Sequence, residues 1–199
     1  MDNSKLSEAL RKSIHIGSIG LPLAYRYIFS YNRFQMFVLL MVALVTAVGV
    51  ELSRMQLPTF RKAFHKFFGL MLRRHEIKDF TGATFLIFAS MLCVVFFPPK
   101  IAFLAMSFLS IGDTFAAMVG ITYGKRKFIG LKKTVEGSLG CFASTMIFAF
   151  FFAGDLSPWV YTIGALSATL AELWIIPLDD NVKIPLISGL SMTFVHIFV

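Results

Sequence analysis

Long apolar stretches alternate with short basic or turn-rich segments along this chain of 199 residues. A transmembrane helix needs about 20 mostly apolar residues, so the pattern predicts an all-α polytopic membrane helix bundle. We expect a single domain, residues 1–199, with about seven transmembrane helices. The predicted spans are Ile14–Phe29, Phe34–Leu52, Ala83–Phe97, Ile101–Tyr123, Gly137–Ala153, Pro158–Ile176 and Ile184–Val199.

An amphipathic segment lies between the second and third predicted spans. Apolar residues recur there at the spacing of one helical face, and Arg, Lys and His side chains fill much of the rest. The pattern predicts a helix that lies in the membrane surface. Two roles are open for it, an anchor on anionic lipid or the border of an access path for a lipid. The apolar face consists of Phe60, Ala63, Phe64, Phe67, Phe68, Met71 and Leu72.

The composition and charge of the chain agree with a membrane protein. Hydrophobic residues make up 57% of the sequence, above the 45–50% typical of soluble domains. With a cytoplasmic N-terminus, 16 of the 19 Lys and Arg residues face the cytoplasm, and the other three are Arg26, Arg33 and Lys100. This bias fixes the orientation by the positive-inside rule. The net charge of +8 therefore marks one membrane face and does not indicate nucleic acid as a partner.

The predicted topology also gathers acidic residues at the cytoplasmic face. Converging carboxylates repel one another unless cations lie among them, and Mg²⁺ prefers a few carboxylates together with substrate phosphates. The sequence therefore predicts a cytoplasmic site for a metal-bound polyphosphate. Six of the eleven acidic residues contribute, namely Glu51, Asp113, Glu136, Glu172, Asp179 and Asp180.

Asp113 carries the strongest indication of chemistry. It lies within an apolar segment, where a carboxylate is costly and usually has a function. Gly120 and Gly124 share its helical face, so a ligand or a neighbouring helix could approach the backbone closely. We favour ligand binding over helix packing, because the acid and the small residues lie on the same face.

A basic segment follows this face. Lys132 and Lys133 lie between Gly130 and a predicted helix start, an arrangement that can hold phosphate with backbone N–H groups and side-chain charge. The segment is not a P-loop, because Gly124 and Gly130 are one residue too far apart. Lys125 has a second interpretation, as a charge that fixes the topology.

Two further polar segments lie at the same face. Arg11, Lys12 and His15 edge the first predicted span, and a lone histidine there is either structural or a contact to substrate or phosphate. The second segment, 179–181, is either a polar turn or part of the site. The two adjacent acids of this segment lie at the same face as the other four, which favours a role in the site.

Five segments in register resemble the family of dolichol kinases, phytol kinases and CTP-dependent diacylglycerol kinases, which is related to the phosphatidate cytidylyltransferases. The resemblance covers nearly the whole chain. It implies a polytopic kinase that phosphorylates a lipid alcohol (diacylglycerol, polyprenol, dolichol or phytol) from CTP with Mg²⁺ or another divalent cation. The segments are RKSIH at 11–15, LRRHE with TGATF at 72–85, GDTFAAMVGITYGK at 112–125, KKTVEGSLG at 132–140 and DDNVKIPL at 179–186.

The motifs and the resemblance together give the predicted site. Catalytic roles fall to four acids, Asp113, Glu136, Asp179 and Asp180, with Asp113, Glu136 and Asp179 as metal ligands. Substrate or other contacts fall to Arg11, Lys12, His15, Glu51 and Glu172, and the resemblance gives the first three no specific role. Nucleotide or phosphate binding falls to Gly112, Gly120, Gly124, Lys125, Lys132, Lys133, Thr134, Gly137, Ser138 and Asn181.

Two other functions are weighed against the kinase. A phosphatidate cytidylyltransferase is disfavoured because the GHGG segment and the later DRxD of that branch do not occur. A lipid carrier ranks third, since transporters hold their charges near the midplane, whereas these acids gather at one face. The short chain suits a compact prokaryotic member in the cytoplasmic membrane. The lipid alcohol and the oligomeric state stay open.

Overall fold

The computed structural model describes residues 3–73, 75–128, 133–174 and 176–199, and these residues form helices with no strand. One isolated antiparallel bridge pairs Lys127 with Thr134. The all-helical prediction is therefore confirmed. The α-helices in the described ranges are α1 (Asn3–Gly17), α2 (Gly20–Leu23), α3 (Arg33–Gln56), α4 (Pro58–Phe68), α5 (Gly82–Phe96), α6 (Pro99–Tyr123), α7 (Val135–Phe152), α8 (Pro158–Leu173) and α9 (Asp180–Phe198).

Four of these helices, α3, α6, α7 and α9, are long and apolar enough to cross a membrane. Helix α5 is apolar but has only 15 residues, and α8 has 16. The first predicted span is not one helix, because it is divided among the end of α1, α2 and a π-helical turn at Ala24–Ile28. Gly17 and Gly20 flank this break, and glycine is among the poorest helix formers. The seven-span count is therefore not confirmed.

Helix α6 forms the centre of the bundle. Every residue from 101 to 112 is buried, as expected for a helix that is apolar all round and surrounded by others. It packs most extensively against α7 and also contacts α1, α2, α5, α8 and α9. Asp113 follows this buried stretch directly, so the fold places its carboxylate at one end of the bundle core.

Glycines allow α6 and α7 to approach closely. A Cβ atom at position 137 would lie 2.8 Å from the carbonyl oxygen of Ala116, and one at position 120 would lie 3.0 Å from Oγ1 of Thr134. A Cβ atom at position 112 would lie 3.0 Å from Sγ of Cys141. These three predicted ligand-binding glycines thus have a packing role in the structure.

Replacing Gly137 with Ala should therefore destabilise the bundle by about 1–3 kcal/mol, the usual cost of overpacking. The Ala116 oxygen belongs to the backbone of α6 and cannot move without shifting that helix. Gly49→Ala on α3 is the matched control, because nothing lies within 4 Å of its Cβ position. Thermal midpoints in detergent measure both changes, and equal midpoints for the two variants would contradict the packing role.

Helix α4 confirms the predicted amphipathic helix but is shorter than the pattern indicated. It ends at Phe68, and Gly69 follows, so Met71 and Leu72 lie beyond it. None of its residues is buried, and the Phe60, Phe67 and Phe68 side chains are exposed. An exposed apolar face suits a helix in the membrane surface.

The other end of the bundle, away from Asp113, is fastened by basic side chains. Arg33 Nη2 donates to the carbonyl oxygen of Phe97 at 2.8 Å, just after α5. Arg26 donates to the carbonyl oxygen of Phe152, the last residue of α7. The carbonyls of a last helical turn have no partner within their own helix, so each arginine caps the C-terminus of a helix.

Candidate active site

Lys12 and Asp113 form the central contact of the site. Lys12 Nζ lies 2.5 Å from Asp113 Oδ2 and also donates to the Asp113 carbonyl oxygen at 3.1 Å. His15 Nδ1 lies 3.3 Å from the same Oδ2 atom. Lys12 and His15 share one face of α1 at i, i+3 spacing. The structure therefore brings the RKSIH and GDTF segments together across 101 residues of sequence.

Burial favours the neutral form of the His15 imidazole. Burial lowers the pKa of its imidazole below the ordinary value, and the nearby Asp113 carboxylate opposes this only in part. Helix α1 lies outside the four long apolar helices. A neutral imidazole can accept a proton during a reaction, so His15 adds a base to the site.

Lys133 joins the acids of two other helices. Its Nζ lies 2.9 Å from Glu172 Oε1 at the end of α8 and 3.7 Å from Asp180 Oδ2 at the start of α9. Lys183 Nζ lies 2.7 Å from Asp180 Oδ1. Lys133 is also close enough to Asp113 to interact with it electrostatically. The predicted convergence of Asp113, Glu172 and Asp180 is therefore present.

Asp179 is engaged differently from Asp180. Its Oδ1 accepts hydrogen bonds from the backbone N–H of Asn181 at 2.9 Å and from Asn181 Nδ2 at 2.6 Å, which makes it the N-cap of α9. Its Oδ2 lies 3.6 Å from Arg73 Nη1. Asp179 thus starts the helix and fixes the loop that carries Arg73.

The segment before α7 is an ordered helix start. Thr134 Oγ1 accepts from the N–H of Gly137 at 3.1 Å, as an N-cap, and Ser138 Oγ donates to the Thr134 carbonyl oxygen. The Glu136 carboxylate accepts from the backbone N–H groups of Lys125 and Arg126 at 3.1–3.3 Å. Lys132 lies outside the described residues.

Glu51 belongs to a buried ion pair that the sequence did not reveal. Arg54 is 1% exposed and donates through Nε to Glu51 Oε2 at 2.9 Å and through Nη2 to the same atom. The other Glu51 oxygen accepts from the N–H of Thr81 at 3.1 Å and from its hydroxyl at 2.6 Å. Arg54 was counted as a topology charge, although its i, i+3 spacing from Glu51 was the signal available.

Arg54 also fixes the loop before α5. It donates to the carbonyl oxygens of three residues, Glu76 at 2.8 Å, Ile77 at 3.1 Å and Asp79 at 2.7 Å. The Glu76 carboxylate in turn accepts from the N–H groups of Arg73 at 2.7 Å and Gly82 at 2.9 Å. This buried network therefore fixes the backbone beside the cavity described below.

The three predicted metal ligands do not share a site of their own. Asp113 contacts Lys12, Glu136 contacts backbone N–H groups, and Asp179 caps α9. No three His, Cys, Asp or Glu side chains in the described part of the chain converge as metal ligands. Mg²⁺ commonly binds through one or two carboxylates plus substrate phosphates, so the acids present are compatible with an ion that arrives with a nucleotide.

A cavity of about 310 Å³ adjoins these groups, between α1, α3, α4, α5 and the start of α9. Lys12, His15, Arg73 and Asn181 contribute polar lining. The remaining wall is largely apolar and includes Phe64 and Phe68 of α4. The predicted amphipathic helix thus borders the candidate site.

Comparisons with known proteins agree with the resemblance found in the sequence. The chain is 26% identical to CTP-dependent diacylglycerol kinase 1 of Schizosaccharomyces pombe, over 94% of this chain and 92% of the relative. It is also 26% identical to CTP-dependent diacylglycerol kinase 1 of Saccharomyces cerevisiae, over 94% and 73%. An uncharacterized protein of Rickettsia prowazekii is 28% identical over 94% and 93%.

No family model matches the chain, and no solved structure gives a significant match. The sequence relatives nevertheless cover 94% of the chain. The resemblance is therefore confirmed, because the chain is similar over most of its length to proteins named CTP-dependent diacylglycerol kinase.

Proposed function

We propose that this protein transfers the γ-phosphoryl group of CTP to the hydroxyl group of diacylglycerol at the cytoplasmic face of the membrane. The observation that carries the proposal is the meeting of Lys12, His15 and Asp113 beside the Lys133 cluster. Lysines and carboxylates at one end of a membrane bundle suit a metal-bound triphosphate, and the names of the two kinase relatives supply CTP and diacylglycerol.

The chemistry needs few groups. The hydroxyl oxygen of the lipid bonds to the γ-phosphorus, the bond from that phosphorus to the bridging oxygen breaks, and CDP leaves with the oxygen. Neutral His15 accepts the hydroxyl proton. Lys12 and Lys133 exchange their carboxylate partners for phosphate oxygens and neutralise charge on the triphosphate, which is most of what such catalysis requires.

A divalent cation completes this proposal. Mg²⁺ held by Asp113 with the CTP phosphates would neutralise the charge that develops on the transferred group. Asp180 then orients Lys133 and Lys183, while Asp179 keeps its place as the cap of α9. Glu172 holds Lys133 in the absence of nucleotide.

The membrane arrangement is also a proposal. The excess of Lys and Arg at the end that carries the site supports a cytoplasmic N-terminus. Counting α5, α8 and the broken first segment as spans gives the predicted seven. A compact chain with a relative in Rickettsia prowazekii suits a prokaryotic cytoplasmic membrane.

The test is a turnover assay on purified protein in detergent with Mg²⁺, γ-labelled CTP or ATP, and a panel of diacylglycerol, polyprenol, dolichol and phytol. Label on diacylglycerol from CTP is the expected result. Label on a different alcohol would show that this alcohol is the acceptor, and label from ATP alone would show that ATP is the phosphoryl donor. Pyrophosphate release with phosphatidic acid and no labelled lipid would overturn the kinase in favour of a cytidylyltransferase.

A further inference from the structure

The cavity has a buried acceptor atom that no described residue satisfies. Asn181 is 2% exposed, and its Oδ1 has no hydrogen-bond partner among the described residues, whereas its Nδ2 donates to Asp179. Asn181 lines the cavity. Buried polar groups are nearly always paired, so a hydroxyl donor from a ligand would satisfy this oxygen.

The cavity also opens toward the surroundings of the bundle. Ile14, Val50 and Phe68 line it, yet they remain 46%, 36% and 48% exposed. On a membrane protein this apolar opening faces lipid. Helix α4, which supplies Phe68 and has no buried residue, forms one side of the opening.

The cavity suits part of a lipid better than a whole one. Its volume of about 310 Å³ is at the lower end of the range for small-molecule sites. That is room for a glycerol unit with its ester groups, while the acyl chains extend through the opening into the bilayer. Arg73 in the wall can donate to an ester carbonyl oxygen, which a polyprenol does not have.

We propose that this cavity is the acceptor site for diacylglycerol, whose free hydroxyl donates to Asn181 Oδ1 when the lipid binds and turns its proton to His15 for the transfer. This proposal rests on the proposed function and identifies the binding site of its lipid substrate. CTP would occupy the Lys133 side of Asp113, so the two substrates meet at the Lys12–Asp113 pair. Asn181, predicted from the sequence to bind nucleotide, binds the alcohol instead.

Photolabelling tests the site without turnover. The protein is reconstituted in phosphatidylcholine vesicles that contain diacylglycerol with a diazirine at the upper part of one acyl chain. After irradiation, labelled peptides are mapped by mass spectrometry. We expect label on residues 64–68 and 83–86 that unlabelled diacylglycerol competes away. Label spread over the lipid-exposed surface, as given by diazirine-bearing phosphatidylcholine, would overturn the site.

A matched pair of variants tests the same site by kinetics. Val50→Trp fills the opening, whereas Val45→Trp on the same helix changes a 64% exposed residue that does not line the cavity. We expect Val50→Trp to raise KM for diacylglycerol by about 10-fold with KM for CTP unchanged, as for the loss of substrate binding alone. Unchanged lipid KM in Val50→Trp, or equal effects of the two variants, would contradict the proposal.

The two proposals fail in different ways. Photolabelling of the cavity that unlabelled diacylglycerol competes away, without transfer of labelled phosphate from CTP, would reject the kinase while keeping the lipid site. Phosphorylated diacylglycerol together with unspecific photolabelling would keep the kinase and reject the cavity as its acceptor site.

Discussion

Asp113→Asn is expected to reduce phosphoryl transfer by at least about 10³-fold, the size of effect seen when a charge-stabilising group is lost in phosphoryl transfer. The substitution keeps the shape of the side chain and removes its negative charge. Lys12 then has no carboxylate partner, and the metal ion of the proposed function would lose its ligand. Initial rates of label transfer from CTP to lipid measure the effect.

The folded state should survive this change. Lys12 Nζ also donates to the carbonyl oxygen of residue 113, so one of its two contacts remains. Asp155→Asn is the matched control, because Asp155 also pairs with a lysine, Lys100, but its side chain is 77% exposed in the loop between α7 and α8. Full activity is expected in the control, and wild-type rates in Asp113→Asn would reject the assignment of Asp113.

The second large effect concerns stability. Arg54→Ala is expected to lower the free energy of unfolding by about 3–5 kcal/mol, the usual cost of removing one partner of a buried ion pair. It leaves Glu51 buried without its cation and removes the donor for three loop carbonyl oxygens. Unfolding by SDS in mixed micelles, followed by circular dichroism, measures the loss.

Two further variants identify the cause. Arg61 also donates to backbone carbonyl oxygens, those of Arg54 and Met55, but it is exposed, so Arg61→Ala should cost no more than about 1 kcal/mol. The double variant Glu51→Leu with Arg54→Met should recover part of the loss, because no charge is left buried and unpaired. A cost for Arg54→Ala as small as for Arg61→Ala would show that the network contributes little.

Helical periodicity and apolar length predicted most of the fold. Long runs such as that of α6 are unambiguous, because few structures other than a buried helix accommodate 25 such residues. The first span was wrong as one helix because a hydropathy window averages over Gly17, Gly20 and Pro22, whereas helix continuity depends on each residue. Helix α4 ended early for the same reason, at Gly69.

The site was predictable as a set of residues but not as a set of contacts. Spacing along the chain brought the acids to one face, yet it could not pair Lys12 with Asp113, since that pair depends on how α1 packs on α6. For Gly120 the sequence left helix packing and ligand binding open, and the structure shows close packing of α6 and α7 there. Arg54 was missed because a topology count treats every cation alike.

The arginine caps at the far end of the bundle have a consequence for how the protein fits a bilayer. Helix α5, at 15 residues, is about 22 Å long, shorter than a hydrocarbon core of about 30 Å. A helix that stops inside lipid normally exposes carbonyl groups to a medium without hydrogen-bond donors. Arg33 satisfies the carbonyl of Phe97 and Arg26 that of Phe152. This lowers the cost of ending these helices below the lipid headgroups, so the leaflet on that side can thin around them.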